Sequence, residues 1–88
     1  MDPPSLDDCE SYSLFRMKIN LWKSATSNIL TDQSQAAKII NILRINNEDL
    51  HKQLCRNLHD MQVLQPSTTD VLNFLDNYHR FVLDMEVD

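Results

Sequence analysis

The chain has no glycine in its 88 residues. That absence excludes whole classes of function. Phosphate-cradling loops and nucleophile elbows need glycine for close backbone approach and positive φ. Two-residue hairpin turns also lean on it. The sequence therefore predicts an all-α fold, a small bundle of four to five short helices. Cysteine is scarce as well. Cys9 and Cys55 are too few for a disulfide framework, which points to a reducing compartment. No apolar run is long enough to span a membrane. The acidic N-terminus has no signal-peptide pattern. The expected location is cytoplasmic, with a nuclear one also open.

What is present fits a folded piece rather than a disordered one, with 42% apolar and 24% charged residues. The net charge of −5 is unevenly spread. Residues 1–10 hold Asp2, Asp7, Asp8 and Glu10 with no base. Residues 11–59 hold seven of the eight basic residues against Asp32, Glu48 and Asp49. Residues 60–88 set Arg80 against six acids. A basic middle between acidic ends reads either as a solvated surface or as faces through which copies attract one another.

Residues 1–10 carry two prolines and four acids and read as a flexible acidic lead-in. Residues 11–88 read as the helical domain. The first helix is expected from Ser11 to Ser27. Its apolar residues Tyr12, Leu14, Phe15, Met17, Ile19, Leu21, Trp22 and Ala25 spread over roughly 200–220°. A helix lying on one core needs an arc of only about 100°. Lys18 sits inside this arc, where its stem can pack while its amine reaches water.

Thr31 and Asp32 are natural caps for a second helix ending near Leu43. Asn46 and Asn47 break and recap the chain. A third helix buries Leu50, Leu54 and Leu58, with Met61 expected on the same face. Pro66 ends what precedes it. Ser67 and Asp70 then resemble a capping box, with Asp in place of the usual Glu. The last helix is expected from Thr68 to Met85. Val71, Leu72, Phe74, Leu75, Tyr78, Phe81, Val82, Leu83 and Met85 again cover roughly 200°. The first and last helices are thus apolar over about twice the needed width. Either neighbours pack them on two sides, or part of each faces another molecule.

Chemistry finds few footholds. His51, Cys55 and His59 line one helix face at i, i+4 and i+8. A structural zinc site needs four ligands, and no second cluster is in view. The expectation is no metal and a surface stripe, with Cys55 at the core edge. Asp76 and His79 read as a solvated face. No catalytic residues and no cofactor are expected. Direct nucleic-acid binding is disfavoured by the pI near 4.9.

The order of features resembles the gag capsid region of Ty3/gypsy-type retrotransposons. The stretches that carry the resemblance are "FRMKINLWKSAT", "DQSQAAKIINIL", "EDLHKQL" and "TTDVLNFLDNYHRFVLDMEVD". They span roughly residues 14–88. In that family an opening helix carries an aromatic–aliphatic pattern ending in Trp. Family members often place glycine between the second and third helices. Here the stretch is Arg44 to Asn47, and asparagine tolerates the left-handed conformation better than most residues. The resemblance implies a capsid N-terminal lobe. Its partners would be itself or related gag chains, with no membrane.

Function is then expected in helix surfaces, not in a pocket. The interface candidates are Phe15, Lys18, Trp22, Phe74, Tyr78 and Phe81, since aromatics dominate interface energetics; some of these must be core, and Trp22 is expected to be mainly so. The competing expectation is a helical adaptor that docks a peptide or helix of an unrelated protein.

Overall fold

The structure, a computed structural model, describes the backbone of residues 2–86 and the side chains through residue 80. A 3₁₀ turn, Leu6–Asp8, precedes four α-helices: α1 (Tyr12–Thr26), α2 (Asp32–Asn46), α3 (Glu48–Asp60) and α4 (Thr68–Glu86). There is no strand among the described residues. The expected all-α bundle is what forms.

Three of the four α-helix starts are capped by local side chains; at α3 the Asn47 side chain makes no cap bond. The Ser11 hydroxyl accepts from the Leu14 N–H at 3.2 Å, and the Thr31 hydroxyl accepts from Ser34 N–H at 3.1 Å. Each satisfies a donor that has no partner within its own helix. At α4 the capping box is reciprocal. The Asp70 N–H donates to the Ser67 hydroxyl at 3.1 Å, and the Ser67 N–H donates to the Asp70 carboxylate at 3.0 Å. The shorter aspartate reaches as glutamate would.

The ends differ more from expectation. α2 continues past Leu43 to Asn46, because Asn47 alone ends it. Asn47 is shared as the last cap of α2 and the first of α3, with φ −141° and ψ 67°. Asparagine does not use the left-handed region here. That region is used by Gln62, at φ 59°, just beyond α3. Its N–H donates to the His59 carbonyl at 3.0 Å, and the Val63 N–H donates to the Leu58 carbonyl at 2.9 Å. These two bonds form a Schellman close. Met61, expected on the buried face of α3, is its terminal cap and lies 61% exposed. The chain turns away from the helix there, so the i+3 spacing no longer points to the core.

The core draws one stripe from each helix. α1 gives Tyr12, Phe15, Ile19 and Trp22; α2 gives Ala36, Ile39 and Leu43. α3 gives Leu50, Leu54 and Leu58; α4 gives Val71, Leu72 and Leu75. Burying each large side chain stabilises by about 1.5–3 kcal/mol. α2 lies against both α3 and α4, and α3 against α4.

Polar contacts set how the helices are joined. The Gln35 amide is buried beneath the end of α1, donating to the Lys23 carbonyl and the Thr26 hydroxyl, both at 2.9 Å. The Asp32 carboxylate reaches across from α2 to the start of α4. It accepts from the Thr68 hydroxyl at 2.5 Å and the Thr68 N–H at 3.1 Å, with the Lys23 ammonium 3.7 Å away. The Thr68 hydroxyl does most to hold the Asp32 carboxyl below its ordinary pKa.

Residues 1–10 are expected as a flexible lead-in; of these, the described residues 2–10 have a seat on the bundle. Ser5 is buried, and Leu6 and Cys9 pack against the core. The Ser5 hydroxyl accepts from the Asn46 amide at 3.2 Å, linking this segment to the end of α2. Leu6 supplies the apolar side chain that a purely acidic segment would lack.

Candidate interaction surface

The width of the apolar arc on α1 resolves into two stripes. Tyr12, Phe15, Ile19, Trp22 and Thr26 are buried. About 130° around the helix lie Leu14, Met17, Leu21 and Ala25. Met17 is 54% exposed and Leu21 is 66% exposed. Leu14 is half-buried, and Ala25 is exposed. Lys18 stands exposed among them. Among the named interface candidates Phe15, 1% exposed, is corrected to core, and Trp22, 5% exposed, is core as its size led one to expect. Both fall on the stripe that faces α2, α3 and α4, and enclosing an aromatic ring there removes more apolar area from water than any smaller residue could. Lys18 remains a surface candidate.

The candidates on α4 divide differently. Phe74 is half-buried and Tyr78 is 46% exposed. Their rings stack at 6.3 Å with planes 27° apart. Together with Leu58 and Met61 they line a groove of about 460 Å³ between α3 and α4, rimmed by Asn57, Asp70, Asn73 and Asn77. The lining mixes four apolar or aromatic side chains with three side-chain amides and one carboxylate. The side chain of Phe81 lies outside the described residues, as do those of Val82, Leu83 and Met85.

A polar clasp holds the start of α1 to α4. The Arg16 guanidinium donates to Asp76 from Nε at 2.9 Å and from Nη2 at 3.4 Å. The Tyr12 hydroxyl donates to the same carboxylate. His79 stacks on the Tyr12 ring at 4.1 Å with planes 8° apart, and its Nδ1 lies 2.8 Å from the Leu75 carbonyl. Burial, then the Asp76 carboxylate, push the Tyr12 hydroxyl above its ordinary pKa, against the pull of Arg16. Asp76 and His79, expected on a solvated face, instead join two helices. Their partners sit 60 or more residues earlier in the chain, so no local pattern reveals them.

A third apolar surface was not read from the sequence. Leu64 is 95% exposed. With Ala37, Ile40, Arg44 and Pro66 it borders a groove of about 440 Å³ beside α2. The signal for it was an apolar residue left between the end of α3 and Pro66, where no helix face could bury it.

The histidine–cysteine stripe of α3 lies on the outside. Cys55 and His59 are exposed and His51 is half-buried. Cys55 was expected at the core edge; the buried edge is taken by Leu50, Leu54 and Leu58 one position earlier. Both cysteines are free thiols. Among the described residues no cluster of three or more His, Cys, Asp or Glu is placed to hold a metal ion. No described helix is long and apolar enough to cross a membrane. No protein-family model, curated protein or solved structure matches this chain significantly.

Proposed function

We propose that this chain is a non-enzymatic self-association domain of the gag-capsid N-terminal-lobe kind, whose copies meet through helix surfaces. The observation that carries the reading is the outer stripe of α1, centred on the exposed Met17 and Leu21, while the stripe about 130° away fills the core. Covering Met17 and Leu21 in a contact stabilises it by about 1.5–3 kcal/mol each at most. After the cost of association, contacts of this size are individually weak.

The groove between α3 and α4 is a second, different surface on the same molecule. A stripe on one copy entering a groove on the next makes a heterologous contact, which can repeat into rings or open assemblies. Lys18 in the stripe and Asp70 at the groove rim carry opposite charges, which favours one orientation of docking.

Sedimentation from micromolar to millimolar concentration tests this reading. The expected result is association that rises with concentration and is lost in Leu21→Asp and in Tyr78→Ala, with helix content unchanged. A monomer over the whole range, alone and mixed with a gag chain, would overturn it. The adaptor reading draws on the Leu64–Pro66 groove beside α2. It predicts a monomer that retains an amphipathic peptide, with retention lost in Leu64→Asp.

A further inference from the structure

The exposed stripe of α3 has a geometry that packing does not require. The Cys55 Sγ and the His51 Nε2 lie 3.4 Å apart. Zinc binds thiolate sulfur at about 2.3 Å and imidazole nitrogen at about 2.0–2.1 Å in tetrahedral sites, which sets two such ligands about 3.5 Å apart. The 3.4 Å contact, a hydrogen bond between the two side chains, also matches the spacing of two neighbouring corners of that tetrahedron. The core leaves both side chains free for this, because Leu50, Leu54 and Leu58 take the inward stripe one position earlier.

One chain supplies too few ligands. A closed zinc site takes four, and no third ligand joins these two among the described residues. We infer that His51 and Cys55 are half of a zinc site, completed by the same two residues of a second copy across a twofold axis. The axis runs through the metal, so each copy presents an identical i, i+4 pair and the site is Cys₂His₂. Thiolate and imidazole together select zinc over the harder divalent cations. Charge also allows it. Two thiolates cancel the charge of the ion, so the site adds none beside Lys52 and Arg56. Lys52 is in turn held by Glu48 at 3.4 Å. The inference rests on α3 alone and does not use the α1 stripe. His59, one turn beyond Cys55 on the same face, is outside the site.

The experiment uses the full chain in a phosphine reductant, which excludes disulfide dimers. Zinc is compared with chelator by sedimentation equilibrium, and cobalt(II) replaces zinc for spectroscopy. The expected result is one metal per two chains and at least about tenfold tighter dimerisation with zinc. Cobalt should give the ligand-field bands of a tetrahedral site and a thiolate charge-transfer band. Cys55→Ser and His51→Ala should each lose both effects, while His59→Ala keeps them. These side chains sit outside the core, and far-UV circular dichroism checks that each variant folds. Absence of cobalt bands in the parent chain, a stoichiometry of one metal per chain, or bands that survive Cys55→Ser would overturn the inference. So would loss in His59→Ala with retention in His51→Ala. Association that ignores zinc but is lost in Leu21→Asp would sink the zinc site and leave the α1 surface standing. Zinc-driven dimers untouched by Leu21→Asp, with no association in chelator, would do the reverse.

Discussion

Replacing Gln62 with glycine should make this protein more stable. Gln62 is the one residue with positive φ among the described residues, at 59°. A side chain with a Cβ pays about 1–2 kcal/mol to sit in the left-handed region. Glycine sits there freely but loses more freedom on folding, a cost of about 0.5–1 kcal/mol. The difference is a net gain of about 0.5–1 kcal/mol. Nothing else is lost, because the bonds that close α3 run from the backbone of Gln62 and Val63, and the Gln62 side chain is exposed. In a domain of this size the gain corresponds to a rise in Tm of about 2–8 °C. Thermal melts followed by far-UV circular dichroism would measure it, with Gln62→Ala as the control that keeps the Cβ. Alanine should stay near the parent, and Gln62→Val should fall below it because β-branching crowds this region further. A glycine variant no more stable than the alanine variant would refute the left-handed close of α3.

Other perturbations have distinct signatures. Trp22→Ala should cost about 3–5 kcal/mol, enough to unfold much of the population at room temperature, as urea titration would show. Asp32→Ala should cost about 1–2 kcal/mol through loss of the α4 cap, read in the same titration. Because folding lowers the Asp32 pKa, its contribution is present above the ordinary aspartate value of about 3.9 and is lost as pH falls below it. Asp32→Asn should therefore show a shallower decline of stability in acid than the parent. Tyr12 behaves in the opposite sense. Its raised pKa contributes stability that is full below about pH 10 and is lost as pH rises beyond it. Tyr12→Phe should be less stable at neutral pH by about 1 kcal/mol and should lose less than the parent in alkaline melts.

Much of the fold was legible because local chemistry decides it. Ser11, Thr31 and the Ser67–Asp70 pair each mark a helix start by a bond spanning three residues. The leucines of α3 mark its buried face by spacing alone. Legibility failed where partners are distant in sequence. Asp32 caps a helix 36 residues later, and Asp76 binds Tyr12 and Arg16 across the whole bundle. Gln35 carries no local mark of the bond its amide makes beneath the end of α1, to a carbonyl 12 residues earlier. The candidate surface was half legible. Periodicity showed that α1 had apolar residues to spare, and size favoured Trp22 as core, but neither could assign Phe15 to the inside and Met17 and Leu21 to the outside. That assignment depends on which stripe the other three helices meet.

The way α1 is fastened has a consequence for anything that meets it. Its first turn is gripped by Asp76 through Tyr12 and Arg16, and its last turn by Gln35. A helix held at both ends cannot roll about its axis to hide Met17 and Leu21 when no partner is near. The helix face that carries those side chains is held toward solvent. An arriving molecule therefore meets a backbone already in place, and the ordering cost on contact falls on the side chains alone.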